Sequence, residues 1–235
     1  LRSMQQPGLS GWDITGRIYS MGLLCGTFGI NVAHELGHRN NKFEQVLAKS
    51  LLATSLYIHF FIEHNKGHHK HVATPRDPSS ARYNEPLYTF WFRTVFLSYL
   101  SAWNIANGEM KKKGLPALHW KNEMLQAQLM QLLFITCIAL VFGWMITLYF
   151  LAAATIGFLL LETVNYIEHY GLLRRCDASG THEPVQHLHS WDYSGWLTNA
   201  LLINLQRHSD HHAHGGRGYG ALNSHPDAPQ LPASY

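Results

Sequence analysis

Cysteine is scarce in this sequence and never paired: Cys25, Cys137 and Cys176 stand apart, with no Cys-x-x-Cys. That argues against a disulfide framework, a zinc ribbon and an iron–sulfur cluster. Charge is scarce too. Only 14% of the 235 residues are Asp, Glu, Lys or Arg, and the net charge of +3 is too small for a nucleic-acid binder. Disorder is equally disfavoured, because 46% of the residues are hydrophobic. No dinucleotide fingerprint, internal repeat or low-complexity linker interrupts the chain. What it has in quantity is histidine, 17 residues against 18 Lys and Arg together.

The apolar residues are segregated. No charged side chain occurs between Glu123 and Glu162. A bilayer core takes roughly 20 apolar residues as helix, so this stretch fits two short spans, about 125–143 and 145–165, turning near Gly143. A third span is expected at about 18–34, where Gly22, Gly26 and Gly29 suit close packing between membrane helices. The apolar segments Ser50–Ile62 and Thr94–Gly108 are shorter and are expected as interfacial, re-entrant or buried helices. Residues 1–215 then form one membrane domain, and the Pro-containing segment 216–235 is expected to be loose. The opening LRSMQQPGLSGWD lacks an initiator Met, so further helices are expected upstream of Leu1.

Four histidine clusters carry the chemistry. His34-Glu-Leu-Gly-His38 places two imidazoles one helical turn apart on one face. Glu63-His64-Asn-Lys-Gly-His68-His69 repeats the i, i+4 pair and adds an adjacent ring that could turn toward a second ion. Asn165-Tyr-Ile-Glu168-His169-Tyr-Gly171 lies at the mouth of the apolar hairpin. Leu205-Gln-Arg-His208-Ser-Asp210-His211-His212 offers rings at i, i+3 and i+4. With three spans, all four clusters emerge on one side. Arg39, Lys42, Lys66, Lys70, Arg76, Lys111, Lys112, Lys113, Arg174 and Arg175 share that side, which the positive-inside rule makes cytoplasmic. The fold class expected is an all-α integral membrane protein with a cytoplasmic multi-histidine cap.

Nine imidazoles exceed the four ligands of one zinc ion and could serve two ions. Iron, zinc, copper and nickel all accept such donors, and an all-nitrogen, redox-capable pair points to iron. His71 and His214 flank the clusters as supporting or solvated rings, and His59, His119, His182, His187, His189 and His225 are expected to be structural. Two rival classes remain. His34-Glu35-x-x-His38 also spells the zinc-protease motif, with Glu35 as general base. A non-catalytic metal-binding membrane protein would use the same rings without turnover.

The motifs HELGH, EHNKGHH, NYIEHYG and LQRHSDHHA, in this order and over most of the chain, resemble the membrane-bound alkane 1-monooxygenases, the AlkB-type non-haem diiron hydroxylases. Fatty-acyl desaturases and xylene-type hydroxylases of the same superfamily share the multi-histidine plan. That family's fold has six transmembrane helices, of which the last three would be present here. The resemblance implies two iron ions held by His34, His38, His64, His68, His69, His169, His208, His211 and His212. Glu35, Glu63, Glu168 and Asp210 become candidates to brace a ligand ring or move protons. It further implies O₂-dependent terminal hydroxylation of n-alkanes drawn from the bilayer, at the bacterial inner (cytoplasmic) membrane. Electrons would come from rubredoxin, reduced by an NADH-dependent rubredoxin reductase. The basic rim Lys111-Lys112-Lys113 and Arg174-Arg175 is where an acidic carrier would dock.

Overall fold

Gly143 divides the uncharged stretch. Its φ of +83° lies in a region that L side chains rarely adopt, and it separates α7 (Glu123–Phe142) from α8 (Trp144–His169). These belong to an all-helical computed structural model describing residues 1–235, in which the only β pairing is two isolated bridges. In chain order the other helices are α1 (Gly11–Leu24), α2 (Asn31–Gly37), α3 (Lys42–Ala53), α4 (His59–Glu63), α5 (His69–His71), α6 (Leu87–Lys112), α9 (Trp196–Leu201) and α10 (His208–Ala213).

Both α7 and α8 are long and apolar enough to cross a membrane. On their outer faces Leu129, Leu132, Leu133, Leu140, Trp144 and Leu148 are exposed. Contiguous apolar surface of this kind is tolerated against hydrocarbon, not water, and marks a membrane protein. Asn122 caps α7, its Oδ1 accepting from the backbone N–H of Met124 at 2.9 Å and Leu125 at 3.3 Å. Lys66 ties that end to the second histidine cluster, with Nζ 2.7 Å from Glu123 and 2.8 Å from Glu109. The hairpin therefore leaves from the histidine-rich end and returns to it at His169.

The segment expected as a span at 18–34 lies inside a helical run from α1 to α2 whose middle, Cys25–Ile30, is π-helical. Ser10 and Asp13 close a capping box at its start. The run packs on α8 through small residues. A Cβ on Gly22 would lie 2.8 Å from the carbonyl oxygen of Ala153, and one on Gly26 would lie 2.8 Å from that of Gly157. This small-xxx-small contact brings the two backbones together. Beside it, Ile30, Leu52, Ile58, Phe60, Ile62 and Met124 form the main buried cluster.

Three expectations are corrected. Ser50–Ile62 is not one segment: α3 ends at Ala53, Leu56 takes a φ of +52°, and α4 begins at His59. α6 runs well beyond Thr94–Gly108 in both directions. Arg93 does not end it, because its guanidinium is neutralised by Glu85 at 2.6 Å and donates to the carbonyl of Pro78 at 2.9 Å. Segment 216–235 is not loose. The Asp192 N–H donates to Pro229 and the Leu231 N–H to Asp192, both at 2.8 Å, and Gln206 Nε2 donates to Ser234 Oγ at 2.8 Å. Proline and small residues read as loose until a partner backbone supplies these bonds.

Gly26→Val drives a branched side chain into the Gly157 backbone and is expected to cost about 1–3 kcal/mol. Gly108→Ala, where a Cβ meets nothing within 4 Å in the interior of α6, is expected to gain about 0.5–1 kcal/mol. Thermal unfolding of the two variants in detergent gives the opposite signs.

Candidate metal centre

All nine clustered imidazoles sit at helix ends on one side of the fold, and their Nε2 atoms converge. They form two groups. His34, His38, His64, His69 and His211 make one, and His68, His169, His208 and His212 the other, with the donor atoms of each group within 4.8 Å of one another. The consecutive pairs His68/His69 and His211/His212 each send one ring into either group, so the two groups share a wall.

Local backbone explains the sorting. At His64–His68 the helix widens to a π turn, and the His69 N–H donates to the His64 carbonyl. The wider turn brings the Nε2 of His64 to that of His69 rather than to that of His68, and these two atoms are 3.1 Å apart. The expected i, i+4 pairing of His64 with His68 is therefore replaced by i, i+5, and His68 is turned into the second group. On α10 the i, i+4 pair His208 and His212 stays together at 3.0 Å, and His211 points to the first group.

The first group has a topology that protons cannot satisfy. His34, His38, His64, His69 and His211 form a closed ring of Nε2 contacts, each 3.0–3.3 Å. Each Nε2 carries either one proton or one lone pair. Donors and acceptors can alternate only around a ring with an even number of members, so five cannot pair off. A cation among five lone pairs removes the conflict, and the donor set fits a metal on that ground. Electrostatics agree. Burial, followed by the neighbouring rings, holds His64, His69, His208, His211 and His212 well below the usual imidazole range, and His38 at about 4. They are neutral at pH 7, the state that binds metal. The helical run ending at His38 and α8 ending at His169 also turn their C-terminal carbonyls this way, where partial negative charge favours cations.

The carboxylates behave differently from one another. Glu168 is fully buried, with Oε2 3.2 Å from His208 Nε2. Asp210 is turned away from the rings: it accepts from the Asn223 N–H at 2.8 Å, His214 Nδ1 at 2.8 Å, His225 Nε2 at 3.0 Å and Arg217 at 3.0 Å. Burial opposes its charge, but these donors outweigh it and hold the carboxyl at about 2. Asp210 thus organises the cap, with His214 and His225 as the supporting rings. Glu63 is buried and accepts from Ser101 Oγ at 3.2 Å on α6; burial and then Asp77 push its carboxyl upward. Glu35 is bound to Arg39 and accepts from the Tyr219 N–H at 3.3 Å. Those partners occupy the group that a zinc protease would need as general base. Arg174 of the expected docking rim is also engaged, donating to the carbonyls of Glu183 at 2.8 Å and Lys70 at 3.0 Å, whereas Lys111, Lys112 and Lys113 are exposed.

One supporting residue has no signal in the histidine motifs. Asp77 accepts from His68 Nδ1 at 2.9 Å and is itself held by Ser80 Oγ at 2.5 Å and the Ser79 N–H at 3.0 Å. Burial opposes charge on both partners, yet their attraction prevails: Asp77 stays below the ordinary carboxylate range and His68 rises above its own. The bond fixes the tautomer that leaves Nε2 free for a metal. The only hint in the sequence is the polar Thr74-Pro-Arg-Asp-Pro78 turn following the second cluster.

An apolar cavity borders the rings. It runs between the π-helical segment and α8, past Ile30, Leu160, Leu161 and Val164, and ends on His34, His64 and His208.

The profile of the fatty acid desaturase family matches residues 14–230. Alkane 1-monooxygenase 2 and alkane 1-monooxygenase 1 of Pseudomonas aeruginosa are 44% and 42% identical to the chain over 95% of its length. A more distant relative, the xylene/toluene monooxygenase hydroxylase component XylM of Pseudomonas putida, is 26% identical over 95%. The chain spans 60%, 59% and 59% of the lengths of these three relatives.

Asp77→Asn removes the charge behind His68 and is expected to weaken metal retention by about 10–100-fold. Metal analysis after a timed chelator challenge reads that loss directly.

Proposed function

Because the chain belongs to the fatty acid desaturase family, we propose that it forms the metal-bearing part of a membrane alkane hydroxylase. The observation that carries this reading is the apolar cavity that ends on three of the nine clustered imidazoles. In this proposal one iron is held by His34, His38, His64, His69 and His211, and the other by His68, His169, His208 and His212. Iron bound there supplies the redox chemistry, in which an alkane, O₂, two electrons and two protons give a primary alcohol and water.

The chain's own residues do the rest. An n-alkane offers no polar handle, so binding rests on removing its methylene groups from contact with water, worth about 0.8 kcal/mol for each buried CH₂. Ile30, Leu160, Leu161 and Val164 supply that lining, and His34, His64 and His208 border the same cavity. Asn165 is placed at the same end of the cavity, beside Glu168. Asp77 fixes the ring of His68, and Asp210 fixes the cap that carries His208, His211 and His212.

Electrons come from an external carrier, which the motif resemblance implies is rubredoxin, reduced by its NADH-dependent reductase. The exposed Lys111-Lys112-Lys113 end of α6 and the exposed Arg175 are the part of the basic rim free to meet an acidic carrier. The histidine face is cytoplasmic in this reading, with α7, α8 and the run from Gly11 to Gly37 crossing the bacterial inner membrane.

The full-length membrane protein, given octane and reduced rubredoxin, is expected to hold about two irons and to form 1-octanol detectable by gas chromatography. His169→Ala is expected to lower turnover by no less than the about 10–100-fold that loss of a supporting partner costs. A double bond introduced into an acyl chain, with no alcohol from octane, would move the assignment to desaturase.

A further inference from the structure

The Glu168 carboxylate points at the rings, and the folded-back tail ends beside it. Glu168 is buried at the last turn of α8. No Lys or Arg lies within ion-pair distance of it, and its side-chain contacts are His208 and the phenol of Tyr235. A buried carboxylate without a cation is costly. Glu162, six residues earlier on α8, is surrounded by three neutral donors, Tyr57, Thr94 and Asn165. Glu168 has one such donor, Tyr235, on Oε1.

Its other oxygen faces the rings. Oε2 lies 3.2 Å from His208 Nε2. That same nitrogen is 3.0 Å from His212 Nε2 and 3.1 Å from His169 Nε2. Glu168 thus presents an oxygen lone pair beside the four-histidine group, which has one donor fewer than its neighbour. Within that group Asp77 braces His68 alone: Nδ1 of His169, His208 and His212 is buried without a hydrogen-bond partner.

The tail delivers Tyr235. Backbone bonds between Asp192 and the Pro229–Leu231 stretch hold the strap down, and Gln206 grips Ser234. Asp192 also receives the Ser209 N–H at 2.7 Å and Ser209 Oγ at 2.6 Å. One buried residue therefore fixes the strap through its backbone and α10 through its carboxylate. The Tyr235 ring then lies in the apolar cavity wall together with Glu168 and His208.

We propose that Glu168 is an oxygen donor to the metal of the four-histidine group, and that Tyr235 is the positioning residue that aims it. The proposal rests on reading both histidine groups as metal sites. It makes the two sites chemically unequal, one with five nitrogens and the other with four nitrogens and a carboxylate oxygen, a donor mix that iron accepts. The phenol O–H donates to Oε1 and leaves Oε2 as the oxygen that faces the metal. The strap acts on the centre through that one bond.

The test uses the full-length protein in detergent, loaded with ⁵⁷Fe(II) and read by Mössbauer spectroscopy and by release of iron to a chelator. The wild type is expected to show two ferrous components of equal area. Glu168→Gln should change the parameters of one component and leave the other. Tyr235→Phe keeps the ring in the cavity wall and should speed the loss of one ion by about 10–100-fold, with the second ion unaffected. Wild-type protein that holds two ions, with both variants matching it in spectrum and release, overturns the proposal alone. Wild-type protein that retains no iron overturns the metal reading and this inference with it.

Discussion

Nine imidazole nitrogens gathered away from water repel one another unless a positive charge lies among them, and the fold is built around that constraint. Five of the nine form a closed ring that hydrogen bonding cannot satisfy. Burial keeps the rings outside the membrane spans neutral at pH 7, His68 excepted, so the lone pairs persist. In a protein interior such unpaired polar groups are expensive. Their crowding therefore stores a demand for cations, and helix ends, carboxylates and the cap are arranged to meet it. His68 shows the arrangement in small, with Asp77 bracing one nitrogen and leaving the other to face the group.

The membrane segments serve the same end from below. α8 carries its apolar face to lipid, its small residues to the helical run beside it, and its last residue into the metal-binding group. The cavity lies between this packed pair of helices and the cap, which adds Leu202, Leu205 and Tyr235 to its wall. Under the proposed function, an apolar substrate and a polar centre can then meet without either crossing the other's medium. The π-helical segment at Cys25–Ile30 lies along the cavity wall just before His34, a position where π turns often accompany function.

Much of this was legible in the chain itself. An uncharged stretch long enough for two passes, with a glycine at its centre, foretells the hairpin, because few soluble folds can hide that many apolar residues. Paired histidines one turn apart foretell shared faces, since helical periodicity fixes which rings stack. The residues that escaped notice did so for physical reasons. A π turn changes the period locally and leaves no composition signal, so the partners of His64 and His68 were exchanged. Asp77 approaches His68 across a turn that no helical spacing describes. The tail lacks apolar periodicity, and the backbone bonds that pin it depend on Asp192, nearly forty residues earlier. Asp210 sits inside a legible motif, but its role in holding the cap depends on Asn223 and His225, which come together only after folding.

α7 begins, and α8 ends, on the same platform, the first pinned there by Lys66 and the second by His169 itself. A residue added to α8 would swing His169 by about 100° about the helix axis and shift it by about 1.5 Å. Exchanging one lipid-facing leucine for another apolar residue would do neither. The hairpin behaves like a shaft whose teeth must mesh at one end: it can be resurfaced freely, but its length is set in whole numbers.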